Sequence, residues 1–260
     1  MNKSGIDWTD MTWNPITGCL HGCPYCYAID TMRRYCGECD HPGSDAQLHE
    51  LFEKEPGNIY PFGFEPTFHR YRLADPARLR VPHNVFCESM GELFGDWVPD
   101  EWIEHVLTAC SRANWHRYLF LTKNPHRYFH VIEYLNGEDS PLSTHGADFH
   151  FGASVTNDEQ FCNAYSSEAS WISIEPLLER LDTNFLMRYP VGCAEEPRWK
   201  WVVIGAETGR RKDKVTPRRE WVEEIVAVCR RIETPVFMKR NIAGVWGDEP
   251  IQETPWEDRS

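Results

Sequence analysis

Cys19-Leu20-His21-Gly22-Cys23-Pro24-Tyr25-Cys26 places three thiols within one short stretch of the chain. Three thiolates can each bind one iron of a cubane cluster and leave the fourth iron open. Gaps of three and two residues let a single loop wrap one corner of such a cluster. Thiolates are the usual protein ligands of iron–sulfur clusters, whereas a structural zinc site wants four protein ligands. His21 could complete a zinc set, but it lies inside the loop. Lone cysteines are mostly buried and inert, and three so close together do not fit that description. The stretch therefore points to a metal, and to an iron–sulfur cluster ahead of zinc.

The flanking chain reads as an alternation of short apolar strands and helices. Residues 85–87 form a buried-type strand ending at Glu88 and Ser89, and 101–113 follow as a helix with Trp102, Val106, Ala109 and Cys110 on one face. The next strand, 118–121, ends at Thr122 and Lys123, and Pro125 suits the first turn of a helix reaching about residue 135. Strand 149–155 precedes Asn157, a helix cap with Gln160 at the capping-box position, for a helix to about residue 169. Strands 171–174, 201–204 and 235–238 end at Glu175, Glu207 and Lys239. Helix 220–231 carries the apolar stripe Trp221, Ile225, Val228 and Cys229. With a strand just before Cys19, about seven parallel strands with right-handed crossovers are expected. The expected fold class is α/β, an open or nearly closed barrel forming a single domain over 1–260. Residues 35–79 show little periodicity and read as a loop-rich insertion covering the barrel mouth. Residues 137–148 read as a polar loop, and 241–260 as an irregular tail anchored by Trp246 and Trp256.

The chain has 260 residues, 41% of them hydrophobic, enough for a sizeable core. Its 27 basic and 40 acidic residues give a net charge of −13, which argues against broad adhesion to nucleic acid or anionic membrane but leaves room for a local basic site. The 11 tryptophans and 13 phenylalanines read first as core packing and second as stacking surfaces. No secretory leader and no membrane-length apolar run is visible, so a cytoplasmic location without a membrane partner is expected. In that reducing setting the 10 cysteines read as metal ligands or buried thiols rather than disulfides.

The three-cysteine spacing, with aromatic Tyr25 before Cys26, matches the signature of the radical S-adenosylmethionine (SAM) superfamily. The wider block Trp8-Thr9, Thr12-Trp13-Asn14-Pro15, Gly18-Cys19, Gly22-Cys23 and Cys26-Tyr27-Ala28 resembles a phage-associated radical-SAM-like family of largely unassigned function. Ile204-Gly205-Ala206-Glu207-Thr208-Gly209 and Phe237-Met238-Lys239-Arg240 resemble its C-terminal motifs. The resemblance spans nearly the whole chain except 35–79. It implies a partial TIM-like barrel, a 4Fe–4S cluster on Cys19, Cys23 and Cys26, SAM as cofactor and an external one-electron reductant. The open iron would chelate the methionine amino and carboxylate groups, and one electron would release a 5′-deoxyadenosyl radical that abstracts hydrogen from a substrate. The protein's task is to orient SAM, exclude water and aim the radical.

Barrel enzymes carry function at the C-terminal ends of their strands. That rule selects Glu88, Ser89, Lys123, Ser154, Thr156, Glu175, Glu207 and Lys239. Glu88 sits where radical-SAM proteins often hold the methionine amino group, although the usual Gly-Gly-Glu is absent. Ser154 or Thr156 could bond the SAM ribose, and Lys123 or Lys239 a carboxylate or substrate phosphate. Tyr25, Glu175 and Glu207 join the cofactor set. Each charged residue is equally readable as a solvated strand end or a structural ion pair. Arg210, Arg211, Lys212, Lys214, Arg218 and Arg219 form a basic cluster, either a phosphate contact or a solvated loop. Cys36 and Cys39 form a second CxxC, read as two free loop thiols ahead of a metal site. Cys87, Cys110, Cys162 and Cys229 read as core, and Cys193 is uninformative. No Walker loop, dinucleotide fingerprint or HExxH is present. The leading expectation is a radical SAM enzyme acting on a nucleic acid or nucleotide-like substrate. The alternatives are a peptide or small metabolite as substrate, or a non-catalytic iron–sulfur or zinc module.

Overall fold

The computed structural model describes residues 1–37, 40–43, 45–136, 147–187, 198–209, 211–247 and 249–256. Its contacts divide the chain into two compact units, Met1–His150 and Phe151–Asp258.

In the first unit, β1 (Asn2–Lys3) runs antiparallel to β2 (Met11–Trp13). β3 (Ile16–Thr17) leads through the cysteine loop into α1 (Tyr27–Cys36). Next come β4 (His49–Leu51), β5 (Thr67–His69) and the single turn α2 (Asp75–Arg78). β6 (Asn84–Cys87), α3 (Asp100–Ser111), β7 (Arg117–Thr122) and α4 (Tyr128–Asn136) complete the unit. β2, β6 and β7 are parallel, with Trp13 opposite Cys87 and Cys87 opposite Phe120. β6 is buried at every position, as a parallel strand covered on both faces should be. α3 starts with Asp100 and Glu101, which favour the positive end of the helix dipole, and buries Trp102, Ile103, Val106, Leu107, Ala109 and Cys110.

The stretch 35–79 is more ordered than its sequence pattern implies. β3, β5 and β4 form a second, three-stranded sheet, β5 lying antiparallel to β3 and parallel to β4. β5 is only Thr67-Phe68-His69 and buries all three residues, so it offers no alternation to read.

The second unit begins within β8 (Asp148–Ser154) and continues with α5 (Asp158–Tyr165), β9 (Trp171–Ile174), α6 (Asn184–Met187), β10 (Val202–Ile204), α7 (Arg219–Arg231), β11 (Val236–Met238) and α8 (Ala243–Trp246). β8 to β11 are parallel, and one row across them is Ser154, Ser173, Val203 and Phe237. Asn157 caps α5 by accepting from Gln160 N at 2.9 Å, while Gln160 Oε1 accepts from Thr156 N at 2.8 Å. α5 ends at Tyr165, four residues short of the expected 169. α7 buries Val222, Ile225, Val226, Val228 and Cys229. Tryptophans fill this core: Trp171 and Trp201 lie 5.2 Å apart, and Trp256 packs edge-on against Trp201 at 4.9 Å, anchoring the tail.

The parallel α/β architecture agrees with expectation. Two cysteine readings need correction. Cys162 is exposed rather than core, because α5 turns Phe161 and Ala164 inward instead. Cys36 is disulfide-bonded rather than a free thiol. Cys39, Cys193 and most of the polar loop 137–148 lie outside the described residues. Among the described residues no helix is long and apolar enough to cross a membrane.

Candidate functional site

The cysteine loop is clamped at its start. Gly18 N donates to Met90 O at 2.9 Å and Cys19 N to Phe64 O at 3.2 Å. Gly18 has φ +86°, and a Cβ there would meet Glu65 O at 2.4 Å, so backbone packs where any side chain would sit. The far end is fixed by α1, for which Cys26 is the N-cap residue.

The three sulfurs are close enough to feel one another's charge. Burial is the largest influence on Cys19 and pushes its thiol up; Glu92, Cys23 and Cys26 push the same way, against a hydrogen bond from His21 N at 3.4 Å. Burial raises the Cys26 thiol too, but the N–H groups of Ile29 and Ala28 and the ammonium of Lys123 favour its thiolate. A helix N-terminus aimed at sulfur is a recurrent way of activating cysteine. Lys123 Nζ donates to Tyr25 Oη at 3.2 Å and lies 5.2 Å from the ring centre. Burial opposes the Lys123 charge, yet Tyr25, Cys23 and Glu92 outweigh it and raise its pKa.

Glu92, which sequence reasoning did not select, ties this group together. It is 5% exposed and accepts from Thr122 Oγ1 (2.8 Å), Phe94 N (3.0 Å) and Lys123 N (3.2 Å), and it pairs with His21 Nε2 at 3.2 Å. Burial works against its charge, but His21 and these donors prevail and hold its pKa below the ordinary carboxylate value. Its sequence signal is the pair Gly91-Glu92 shortly after a strand end. Asn14 was quoted only as part of a motif; its Oδ1 receives Ser89 Oγ (3.1 Å) and Met90 N (2.9 Å) and so fixes the loop after β6.

Glu88 follows β6 as expected but is fully enclosed. It adopts φ +66° and takes Ile16 N on both oxygens at 3.1 and 3.3 Å. Burial raises its pKa well above the usual value. Ser89 gives its hydroxyl to Asn14 and its carbonyl accepts from Tyr27 Oη. The first unit thus brings together Cys19, Cys23, Cys26, Tyr25 and Lys123, with Glu88 and Ser89 on the loop that supports them.

The second unit holds the remaining predicted residues, and each of its charged strand ends is engaged in an ion pair. Lys239 Nζ donates to Glu175 Oε1. A Cβ on Gly205 would meet Glu175 Cγ at 3.0 Å, so the bare residue leaves the room that Glu175 occupies. Glu207 is buried and held bidentately by Arg211 at 2.8 Å, with Val215 N as a third donor at 3.1 Å. The Arg211 bond is the main reason its pKa is lowered. Thr156 is buried against Gln160, and Ser154 stands beside Ser173 in the sheet row. Of the basic cluster, Arg219 pairs with Glu223 at 2.7 Å, Arg218 lies over Trp221, Lys212 and Lys214 are exposed, and Arg210 is outside the described residues.

Among the described residues no three His, Cys, Asp or Glu side chains already stand in a metal-holding arrangement. The donor chemistry nonetheless fits an iron–sulfur cluster. Three thiols share one loop, and what keeps Cys19 and Cys26 protonated is mainly burial, which a bound cationic group would offset while releasing protons.

A family model described as a protein of unknown function, DUF5131, matches residues 3–255. No curated protein matches the chain. Among solved structures, a cysteine-to-serine mutant of spore photoproduct lyase is similar with a TM-score of 0.51 at 10% identity, over 91% of this chain and 78% of that one. At that identity the likeness is one of fold.

Proposed function

The chain belongs to DUF5131, a family of proteins of unknown function, and we propose that it is a radical SAM enzyme holding a 4Fe–4S cluster on Cys19, Cys23 and Cys26 and modifying a phosphate-bearing, nucleic acid or nucleotide-like substrate. The observation that carries this reading is the cysteine loop, clamped by backbone at Gly18 and Cys19 and capped into α1 at Cys26. The fold shared with spore photoproduct lyase, a radical SAM enzyme, supports it. In this reading the parallel strands belong to an open TIM-like barrel, the protein is cytoplasmic, and it is related to the phage-associated family with the three-cysteine motif.

When bound, such a cluster supplies one-electron reductive cleavage of SAM. The chain's own residues prepare the site. Ile29 and Ala28 N–H and Lys123 stabilise the Cys26 thiolate, and Lys123 also holds Tyr25 beside the loop. Glu92 fixes His21 within the loop and the backbone of Lys123 outside it. Glu88, enclosed after β6, braces the start of β3 by accepting from Ile16 N. Glu175 and Glu207 are occupied by Lys239 and Arg211 and act as structural ties in the second unit.

Anaerobically reconstituted protein should bind about four irons and four sulfides. Replacing any one of Cys19, Cys23 and Cys26 with Ala should remove most of that iron, and reduced enzyme should release 5′-deoxyadenosine and methionine from SAM. Unchanged iron in the triple Ala variant, or zinc as the sole native metal, would sink the cluster assignment. S-adenosylhomocysteine without deoxyadenosine would indicate ordinary methyl transfer.

A further inference from the structure

A cavity of about 820 Å³ opens in the first unit, bounded by the N-terminal segment, α1 and the loop after β6. That size falls within the range of small-molecule sites. Its walls carry Arg34, Lys54, Arg72, Arg78 and the amino group of Met1 against one carboxylate, Asp75. Asp75 is engaged by the amino group at 2.9 Å and by Arg78 at 2.8 Å. Among the described residues no carboxylate lies within ion-pair distance of Arg34, Lys54 or Arg72. Arg34 donates to Thr31 Oγ1 at 2.9 Å and Arg72 to Asn14 O at 2.7 Å. Each bond uses one of the several donors a guanidinium offers. On a chain of net charge −13, such a concentration of cations focuses an anion into one place.

The same walls are rich in tyrosine. The Tyr35 and Tyr60 rings lie 5.8 Å apart, tilted by 58°, and Tyr71 lies under the Arg72 guanidinium at 5.5 Å. Tyr27 and Tyr35 are 44% and 63% exposed, so part of each ring is open to a ligand. Exposed rings beside unpaired cations are the recurring equipment for holding a base by its face and a phosphate by its charge. Tyr27, next in sequence to Cys26, brings this wall up to the cysteine loop.

We propose that this cavity binds a nucleotide, with Arg34 and Arg72 on the phosphate oxygens and the tyrosine rings against the base. The assignment stands on the cavity and does not depend on the cluster. SAM itself is a poor occupant, since its sulfonium and ammonium would face a surplus of positive charge.

Calorimetric titration of the full chain tests it, with the four ribonucleoside 5′-monophosphates, adenosine, inorganic phosphate, SAM and a short 5′-phosphorylated oligonucleotide as probes. A monophosphate should bind at least about tenfold more tightly than adenosine or inorganic phosphate, because both halves of the site are used. Arg72→Gln and Arg34→Gln should each weaken it about tenfold, an effect that shrinks in high salt. Arg34 is exposed, so its replacement leaves the fold intact even if loss of the Arg72 bond to Asn14 does not. Tyr60→Leu should weaken nucleotide but not inorganic phosphate. Preference for the oligonucleotide would identify a strand end as the source of the phosphate, and preference for the monophosphate a free nucleotide. Nucleotide binding unchanged in both arginine variants, displacement of nucleotide by SAM, or no binding of any phosphorylated probe would each overturn the proposal. None of these outcomes depends on iron loading, so the site and the radical SAM reading can fail separately.

Discussion

Glu92 is the residue on which the cysteine loop leans without containing it. Its two oxygens receive donors from Thr122, Phe94 and Lys123 and a ring nitrogen of His21. Removing the carboxylate leaves those donors buried and unmatched, which costs more than the bonds were worth in forming. Glu92→Ala should therefore destabilise the protein by ~3 kcal/mol and Glu92→Gln by less, since the amide still accepts. Thermal or denaturant unfolding measures the first effect, and a parallel loss of reconstituted iron would show that His21 no longer steadies the loop. An Ala variant as stable as the parent would refute the bracing role. The cysteines were legible from the sequence because spacing alone constrains them. Glu92 was not, because a lone acid after a strand looks like a solvated end, and only the fold brings Thr122 and His21 to it. The same ambiguity covered the strand-end charges Glu175, Lys239 and Glu207 and, in the basic cluster, Arg211; in the structure Lys239 pairs with Glu175 and Arg211 with Glu207.

Elements were legible where a period or a cap exists. α3 and α7 show their buried stripes directly, and the Asn157–Gln160 box marked the start of α5 to the residue. The cap has a measurable worth. Asn157→Ala leaves Gln160 N without its acceptor and should cost ~1 kcal/mol of unfolding free energy, the usual value of a lost N-cap. Asn157→Ser or Asn157→Asp should restore most of it; equal losses in all three variants would mean that packing, not the cap, sets the end of α5. β1, β4 and β5 stayed hidden because strands of two or three residues cannot display alternation, and β5 is buried on both faces. The cysteine loop depends on one of these hidden pieces: the sheet that joins β3 to β5 sets the entry to Gly18, and the backbone of Phe64 and Glu65 just before β5 packs against it.

Two buried titratable groups in the first unit pull the pH dependence of the whole molecule in opposite directions. His69 is fully buried between Thr17 Oγ1 (2.8 Å) and Tyr71 Oη (3.2 Å); burial, aided by Arg72, lowers its pKa from 6.5 to about 3. Between those values the unfolded chain takes up a proton that the native imidazole refuses, so stability falls as pH falls, by about 1.4 kcal/mol per pH unit at most. Glu88 behaves inversely. Burial raises its pKa well above 4.5, so above that pH the unfolded chain releases a proton that the native carboxyl keeps, and stability falls as pH rises. Above 4.5 the Glu88 slope opposes the His69 slope, and it ends where the native pKa of Glu88 is reached. Comparing variants with the parent separates them from every other carboxylate. A destabilised His69→Gln variant should draw level with the parent on acidification, its deficit shrinking by about 1.4 kcal/mol per pH unit below 6.5. Glu88→Gln should gain on the parent by a similar amount per unit as pH rises from 4.5. Denaturant unfolding across pH 4 to 8 reads both differences. Gaps that do not change with pH would show that neither group is held in the protonation state its burial dictates.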